Sequence, residues 1–461
     1  MKYLESNICP DEILDYEKRG DCYTWCFPIN FEDFNARDIS RNDNYLDKNT
    51  KLMTLYIHIP YCKFICSMCP FTHEPVKEEE FSRYVKCLEK EIGLYAEHKL
   101  SKESKVSTIY FGGGTASILS LAQVKEIINI LKEKYQLLEE CEICLECHPN
   151  TVTKEYLEGI KEAGVTRVSF GIQSFQQKNL TALKLWQNAE RNKEVIKMAM
   201  GIGFDTVAMD IMYNFPDQTI EELTEDIRFA VDAGVQGLSV YALDPEVRKL
   251  NSVKERQEKM QMEQDMFYYI FDYLKRQGYV QVAQPDYSLP GHENRQIMDL
   301  WGAPQRINLG FGAGAFSENF NGCSWANIHD PQEYMKCMEA GQMPILMGKR
   351  WSLDDAMARY VALGVRMLKV PLKNFKEQFG IALADIYKYE ILKLQELGYV
   401  ELESDFLVIT EKGKYYIDNI SKTFFNFSNR GRAQYWGCKL KEYMPRNLYQ
   451  WKDVIGECDE E

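Results

Sequence analysis

The feature that most constrains this chain is a cysteine-rich loop directly after a short apolar run. Residues 56–71 read Tyr-Ile-His-Ile-Pro-Tyr-Cys-Lys-Phe-Ile-Cys-Ser-Met-Cys-Pro-Phe, so Cys62, Cys66 and Cys69 follow a C-x3-C-x2-C spacing. Three thiolates on one tight loop suit a cubic [4Fe–4S] cluster and leave its fourth iron without a protein ligand. That iron is then free to bind a small molecule, and we place the chemistry there.

Two other interpretations explain these cysteines less well. A structural zinc site needs four ligands, usually as two pairs well separated in sequence, and neither His58 nor His73 stands at a usual offset for the fourth. Inert core cysteines are usually scattered along a chain instead of being packed together after a strand. The spacing therefore favours an iron–sulfur cluster.

Composition and charge exclude several classes of protein. A length of 461 residues allows up to about three domains, and 45% hydrophobic content is ordinary for a globular protein. A net charge of −14 disfavours a nucleic-acid binder, because phosphate contacts need clustered Lys and Arg. No apolar run reaches the roughly 18 residues of a membrane span, and residues 1–7 contain no apolar signal core. We therefore expect a cytoplasmic protein without membrane or nucleic-acid partners, whose 14 cysteines are reduced thiols.

Short β-rich runs alternate with helical patterns from residue 54 onward, which is typical of βα units around a parallel sheet. The predicted strands are 54–59, 107–111, 142–147, 167–170, 206–212 and 237–242. The predicted helices between them include 79–97, 122–135, 154–163, 192–200 and 220–233. The sequence therefore predicts an α/β protein with a partial (β/α)6 TIM-type barrel, whose active site lies at the carboxyl ends of the strands.

Composition shifts divide the chain into five predicted segments. An irregular N-terminal leader (1–50) and the barrel (51–245) come first, and residues 246–350 continue over the barrel. Helices at 354–369, 372–379 and 384–397 precede strand-like runs at 399–402 and 407–413, which resembles a winged helix. The remaining segments are thus a mostly helical, winged-helix-like domain (351–425) and a C-terminal tail (426–461).

Candidate ligand-binding residues stand where the predicted strands end. Gly112-Gly113-Gly114-Thr115 follows the second strand, and its glycines let backbone amides approach a ligand, although a plain tight turn is the alternative. Glu146 ends the third strand, where it either hydrogen-bonds an amine or ribose or is a solvated turn acid. Gln173 follows the fourth. Asp210, in the apolar fifth strand, needs either a polar cofactor or an internal salt bridge, because an unpaired buried carboxylate is costly.

A second run of cysteines lies on the third predicted strand. Cys141 and Cys147 point to one face of an extended strand and Cys144 points to the other, so these thiols cannot converge on one cluster. We interpret them as core thiols.

These motifs together resemble the radical S-adenosylmethionine (SAM) superfamily, and within it the group related to oxygen-independent coproporphyrinogen III oxidase. The resemblance spans roughly residues 54 to 420. Its landmarks are the Tyr56 lead-in, the three cysteines, 112–115, Glu146 with Pro149, 171–175, 210–219, 290–295 and 310–317.

The resemblance implies cofactors and roles for particular residues. Cys62, Cys66 and Cys69 would ligate the cluster, and SAM would bind its open iron. An electron, supplied by a flavodoxin or ferredoxin type of donor, would split SAM into methionine and a 5′-deoxyadenosyl radical that abstracts hydrogen. Residues aligned with contacts to this first SAM are Tyr56, Gly113 and Glu146. Those aligned with the side of a second SAM are Met68, Gly114, Thr115, Gln173, Asp210 and Phe316.

Two departures from the family pattern bear on the reaction. The oxidase proper has a fourth cysteine two residues after the third, whereas Pro70 and Phe71 follow Cys69 here. An arginine common near the end of the helix after the fourth strand has no clear counterpart in 183–191. Because the fourth cysteine is missing, we expect methyl or alkyl transfer from a second SAM to an unsaturated aromatic or tetrapyrrole substrate instead of the oxidase reaction. The alternatives are oxidative decarboxylation of coproporphyrinogen III and a haem chaperone without substrate turnover.

Overall fold

The computed structural model describes residues 39, 51–66, 69, 74–243, 253–425 and 449–451. The predicted leader is therefore outside the described residues apart from position 39, and so is the predicted tail apart from 449–451. Met68 also lies outside them.

The described strands are given in chain order. They are β1 (Leu52–Ile59), β2 (Tyr61–Cys62), β3 (Glu74–Pro75), β4 (Lys105–Gly113), β5 (Gln136–Cys147), β6 (Arg167–Gln173), β7 (Thr206–Tyr213), β8 (Gly237–Ala242), β9 (Val280–Gln281), β10 (Asp286–Ser288), β11 (Ile307–Phe311), β12 (Phe316–Phe320), β13 (Cys323–Asn327), β14 (Gln342–Met343), β15 (Ile345–Arg350), β16 (Lys369–Pro371), β17 (Val400–Leu402), β18 (Phe406–Ile409) and β19 (Tyr449–Gln450).

The described helices follow the same order. They are α1 (Glu78–Ala96), α2 (Lys99–Glu103), α3 (Leu121–Lys134), α4 (Lys154–Ala163), α5 (Gln177–Ala182), α6 (Ala189–Ile202), α7 (Ile220–Asp232), α8 (Val253–Arg276), α9 (Arg295–Trp301), α10 (Pro331–Glu339), α11 (Leu353–Gly364), α12 (Leu372–Phe379), α13 (Leu383–Ile386), α14 (Lys388–Glu396), α15 (Glu411–Tyr415) and α16 (Ile417–Thr423). Among these helices, none combines the length and the apolar character that crossing a bilayer requires.

The six predicted strands form the parallel centre of one large open sheet. The order of this sheet is β15-β13-β12-β11-β1-β4-β5-β6-β7-β8-β10-β9, and the pairs from β1 to β8 are parallel. Alternate residues of β1 are buried in the core, because Met53, Leu55, Ile57 and Ile59 are inaccessible to solvent. The α/β class with a parallel-rich sheet is therefore confirmed, together with a mostly helical C-terminal region.

One strand of the parallel layer was not predicted. β11 pairs in parallel with the free side of β1, so that Tyr56 lies opposite Gly310. β12, β13 and β15 then continue the sheet with antiparallel pairing. Strand β11 is short and contains a glycine, and its partner lies some 250 residues earlier in the chain. Its pairing therefore depends on tertiary contacts that local pattern does not contain.

The C-terminal unit has its own core around a three-stranded antiparallel sheet, β16-β18-β17. The predicted helix 354–369 was wrong at its end, because α11 stops at Gly364 and Leu368 has a left-handed backbone (φ 65°) before β16. The predicted helix 384–397 is likewise broken at Tyr387 (φ −107°, ψ 35°), whose ring is buried against Phe424. The arrangement keeps the helix-then-hairpin order of the prediction.

A buried ion pair joins this unit to the large sheet. Arg359 of α11 donates to Glu318 of β12 at 2.9 Å, and both side chains are at most 4% exposed. Arg359 also stacks over the ring of Trp351 at 5.3 Å. Because Glu318 is buried, its pKa is raised, and the guanidinium opposes that rise. The pair therefore fixes α11 against β12.

We predict that Arg359→Met destabilises the protein by about 3–5 kcal/mol, because it leaves the Glu318 carboxyl buried without its cation. The free energy of unfolding in urea measures this cost. The double variant Arg359→Met/Glu318→Leu should regain most of the loss. Lys373→Met, which removes one member of an exposed pair with Glu377, should leave the unfolding midpoint nearly unchanged. Equal effects of the two single variants would contradict the prediction.

Candidate active site

The cysteine loop is held at both ends by main-chain hydrogen bonds. β2 pairs in parallel with β3, with Glu74 N donating to Pro60 O at 2.8 Å and Val76 N donating to Cys62 O at 3.1 Å. Inside the loop, Cys69 N donates to Cys66 O at 3.2 Å. The loop therefore starts and returns at one point at the carboxyl end of β1.

The three thiols lie close enough to influence one another. None of the three is in a disulfide; Cys62 is buried, and Cys66 and Cys69 are partly buried. Burial, together with neighbouring Cys69 and Cys62, raises the pKa of the Cys66 thiol to about 11. Burial likewise raises the pKa of Cys62. A hydrogen bond that Thr115 donates to its sulfur at 3.3 Å opposes this rise. Cluster binding must therefore release protons from these thiols.

The donor set fits a cube better than a single ion. Within the described ranges, no three Cys, His, Asp or Glu side chains converge on a point where one metal ion would sit. A [4Fe–4S] cube takes each thiolate on a different iron, so its three ligands need not converge. The predicted ligand roles of Cys62, Cys66 and Cys69 stay a prediction, which this geometry fits.

The glycines at the end of β4 are required because the backbone of the cysteine loop lies so close to them. A Cβ atom at Gly114 would lie 2.9 Å from Tyr61 O and 3.0 Å from Cys62 Sγ. At Gly113, which has φ 115°, it would lie 2.9 Å from Ile59 O. Gly114 N also donates to Ile59 O at 2.8 Å. The glycine segment therefore packs directly against the backbone that carries the first cysteine.

Glu146 is fixed by two donors on the inner face of the sheet. Its carboxylate accepts from Tyr110 Oη at 2.8 Å and from Gly113 N at 3.2 Å. Burial raises its pKa, and these two hydrogen bonds oppose the rise. Tyr56 stacks on Tyr110, with ring centroids 6.1 Å apart, and hydrogen-bonds His58 Nδ1 at 3.0 Å. The residues predicted for the first SAM thus lie in one connected group.

Asp210 lies close to Glu146 in the same space. Among the described residues, it makes no hydrogen bond or ion pair, so the internal salt bridge weighed from the sequence is not formed there. Burial raises its pKa well above the ordinary value, and Glu146 and Asp286 raise it further. Gln173 (φ 67°) accepts from Tyr241 Oη at 2.9 Å. Burial raises the pKa of Tyr241, with further contributions from Asp210, Cys69 and Glu146, so these groups surround one space.

Phe316 packs in a separate apolar cluster beside His329. It is nine-tenths buried in a small apolar cluster with Ala326, Ile328 and Met347, and its ring meets His329 edge-on at 6.2 Å. Its predicted role beside a second SAM stays a prediction.

Sequence reasoning missed Tyr110 and Tyr241, which orient Glu146 and Gln173. A polar ring within an otherwise apolar strand was the available signal, since Tyr110 precedes the glycines by two positions. It also missed that His329 lies close enough to His58 to influence its charge. Burial lowers the pKa of His58 to about 3 and that of His329 to about 4, so both are neutral.

Buried Glu91 of α1 holds the glycine-rich segment after β11. Its carboxylate accepts from Gly312 N at 2.8 Å, from Asn327 Nδ2 at 2.8 Å and from Tyr334 Oη at 2.6 Å. Tyr84 of the same helix donates to His58 O at 2.9 Å and accepts from Ala313 N at 2.9 Å. The helix that follows the cysteine loop therefore ties β1 to the segment between β11 and β12.

Comparison with known families gives two matches. The profile of the radical SAM superfamily matches residues 56–230. The profile of the HemN C-terminal domain matches residues 351–416. The first match contains the cysteine loop, the glycine segment, Glu146, Gln173 and Asp210.

Curated relatives are similar over most of their length. The chain is 26% identical over 374 residues to the heme chaperone HemW of Bacillus subtilis, covering 79% of this chain and 96% of that protein. It is 26% identical over 374 residues to the anaerobilin synthase of Escherichia coli O157:H7, with coverage of 79% and 82%. It is 24% identical over 461 residues to the oxygen-independent coproporphyrinogen III oxidase of Helicobacter pylori, with coverage of 92% and 98%.

A solved structure has the same fold. The coproporphyrinogen III oxidase HemN of Escherichia coli, described as a radical SAM enzyme, superposes with a TM-score of 0.74 at 22% identity. The match covers 90% of this chain and 97% of that one.

We predict that Gly114→Ala lowers the iron bound after anaerobic reconstitution by about half or more, because the new methyl group collides with Tyr61 O and the Cys62 sulfur. Iron and sulfide content per chain is the measurement. Gly201→Ala is the matched control, since a Cβ there meets nothing within 4 Å and alanine favours the helix. Wild-type iron content in Gly114→Ala would contradict the prediction.

We predict a pH dependence of stability that originates at Glu91. Burial raises the pKa of its carboxyl from 4.5 to about 7, so the folded state keeps the proton to higher pH than the unfolded state. Stability therefore falls as pH rises from about 4.5 to about 7, by roughly 3 kcal/mol at about 1.4 kcal/mol per pH unit, and is level above that. Urea unfolding of wild type and Glu91→Gln across this range tests it. The wild-type curve should fall by this amount relative to the Glu91→Gln curve as pH rises, and parallel curves would refute the assignment.

Proposed function

We propose that this protein transfers a methyl or alkyl group from a second SAM to an unsaturated tetrapyrrole or other aromatic substrate. The chain belongs to the radical SAM superfamily and to its coproporphyrinogen III oxidase-like group. The cofactors of this superfamily are a [4Fe–4S] cluster and SAM. The observation that carries the proposal is a pair of carboxyl groups, on β5 and β7, that face one space. Glu146 is already held by the protein on one side, and Asp210 has no partner in the described chain on the other.

Cys62, Cys66 and Cys69 would hold the cluster. When bound, such a cluster supplies the electron that cleaves SAM to methionine and a 5′-deoxyadenosyl radical. The loop would supply no fourth thiolate, so one iron of the cluster would have no cysteine ligand from it. The sequence supports this, because Pro70 and Phe71 occupy the positions after Cys69.

Glu146, Gly113 and Tyr56 would position the first SAM. Tyr110 and Gly113 each donate one hydrogen bond to Glu146, which leaves further lone pairs for an amine or a ribose hydroxyl. Because Tyr110 also stacks on Tyr56, the carboxylate has a fixed direction before any ligand enters. Such preorganisation favours one orientation of the ligand over others.

Asp210, Gln173 and Thr115 would face the second SAM, and Met68 and Gly114 are proposed for the same side. A buried carboxyl without a partner is costly, and a ligand that carries positive charge or hydroxyl donors offsets that cost. Gln173 is oriented by Tyr241, so its amide nitrogen remains free to donate. This second polar half favours methyl transfer, which needs a methyl donor in addition to the first SAM.

The names of relatives support a tetrapyrrole substrate. The three relatives are named for heme, for anaerobilin and for coproporphyrinogen III. Oxidative decarboxylation of coproporphyrinogen III is the alternative that the Helicobacter relative favours, since that alignment covers 92% of this chain. A haem chaperone is the alternative that the Bacillus relative favours.

We predict that the reconstituted, dithionite-reduced protein forms 5′-deoxyadenosine and S-adenosylhomocysteine together when supplied with SAM and haem or a related tetrapyrrole. Liquid chromatography with mass spectrometry quantifies both products and the methylated acceptor. Asp210→Asn should lower S-adenosylhomocysteine formation by about tenfold or more, because it weakens the proposed methyl-donor side. Glu401→Gln, an exposed change in the C-terminal unit, is the control.

Other products decide between the alternatives. Carbon dioxide and two vinyl groups from coproporphyrinogen III, without S-adenosylhomocysteine, would establish the decarboxylase instead. Stoichiometric haem binding and transfer to an apo-acceptor, without substrate-coupled SAM cleavage, would establish the chaperone. Either result refutes methyl transfer.

A further inference from the structure

An exposed aromatic and basic surface lies beside the cysteine loop. We name it the rim patch and define it by Lys63, Phe64, Ile65, Lys184 and Trp186. Phe64, Ile65 and Trp186 are 41%, 43% and 38% exposed, although each is large and apolar. The rings of Phe64 and Trp186 stack with centroids 6.3 Å apart. Exposed apolar groups gathered in this way mark an interaction site more often than scattered single residues do.

Trp186 of the rim patch is held in place by neighbouring residues. Trp186 stacks on His148 at 5.1 Å, and Asn150 Nδ2 donates to Trp186 O at 3.1 Å. The side chain of Gln187 hydrogen-bonds His148 Nε2 through its Oε1 at 3.1 Å, and its Nε2 donates to Gly171 O at 3.1 Å. A surface that is held in place before binding loses little entropy when a partner docks.

The rim patch is basic on a chain whose net charge is −14. Lys63 and Lys184 are exposed, and neither forms an ion pair within the described ranges. Lys184 has a left-handed backbone (φ 51°) at the end of α5, where Leu185 N donates to Leu180 O at 3.0 Å. Glycine usually occupies such a position. A lysine there keeps a positive charge at the rim despite an unfavourable backbone.

The position of the rim patch indicates its role. Lys63, Phe64 and Ile65 are the residues between Cys62 and Cys66, so the patch is the outer surface of the loop whose inner side carries the thiols. Electron transfer weakens steeply with distance. A protein that reduces a cluster held by these thiols must therefore dock on the surface nearest to them.

We propose that the rim patch is the docking surface for a small acidic one-electron carrier of the flavodoxin type. This inference rests on the proposed radical SAM function, which requires an electron at the cluster. Phe64, Ile65 and Trp186 form an apolar centre, and Lys63 and Lys184 attract the carrier's acidic surface. Electron-transfer complexes are typically small and transient, as a patch of five residues allows. The opposite charges of the lysines and the carrier raise the association rate.

The test compares charge reversals on the reconstituted holoprotein with an acidic flavodoxin as the probe. The rim variant is Lys63→Glu/Lys184→Glu. The matched control is Lys376→Glu/Lys388→Glu, which changes net charge equally at exposed positions of the C-terminal unit. Calorimetry gives the dissociation constant for oxidised flavodoxin, and stopped-flow absorbance gives the rate of cluster reduction by reduced flavodoxin. Dithionite, which needs no docking, gives the reference rate.

We expect the rim variant to slow flavodoxin-driven reduction by about tenfold at low ionic strength, with a smaller effect at high ionic strength. Dithionite-driven reduction should stay at the wild-type rate. Trp186→Ala should weaken flavodoxin binding at both ionic strengths, because its contribution is apolar.

Three results would overturn the docking surface. These are absence of flavodoxin binding by the wild type, equal effects of the rim and control variants, and loss of tetrapyrrole binding in the rim variant with flavodoxin binding intact. The last result would assign the patch to the substrate. Failure of the proposed function is separately visible, because the dithionite-reduced protein would then form no S-adenosylhomocysteine while the binding data still decide the docking.

Discussion

The structure depends on the main-chain hydrogen bonds that clamp the cysteine loop. Pro60 O accepts from Glu74 N, and Ile59 O accepts from Gly114 N, so the loop is joined both to its own return and to the glycine segment after β4. These bonds involve only backbone atoms. They are possible because residue 114 is a glycine, since a side chain there would collide with Tyr61 O. The backbone that carries the thiols is therefore fixed at the ends of the strands by hydrogen bonds that do not depend on the side chains of the loop. Glu146, on β5, accepts from Gly113 N of the same glycine segment.

Charge is distributed unevenly along the inner face of the sheet. Toward the amino ends of the strands, Glu142 is paired with Arg167 at 3.4 Å. Level with Asp210 in the sheet, Asp286 accepts from Ser239 at 2.5 Å. Toward the carboxyl ends, Glu146 has only neutral donors and Asp210 has no partner among the described residues. Burial raises the pKa of both carboxyls, and each raises that of the other groups around it. A ligand that brings positive charge and several hydrogen-bond donors suits this half, and SAM has both properties.

Sequence patterns predicted those features of the fold that depend on residues close together in the chain. The six parallel strands and their order followed from alternating βα units, and the cysteine spacing and the glycines indicated the site. Pairing of β11 with β1 could not be predicted, because the contact joins segments far apart in the chain and β11 carries little pattern of its own. The roles of Tyr110 and Glu91 were missed for a related reason. Each acts by a side-chain hydrogen bond to another element, and a sequence without its fold does not show which partner is in reach.

The central claim is that the loop supplies the cluster with three thiolates and leaves one iron for SAM. The most direct test is electron–nuclear double resonance of the reduced, reconstituted protein with SAM that carries a nitrogen isotope label in its amino group. The account predicts a hyperfine coupling between the cluster and the labelled nitrogen, which shows that the amino group is bonded to an iron. A reduced four-iron spectrum with SAM bound but without that coupling would show that the fourth iron has another ligand, and would contradict the account.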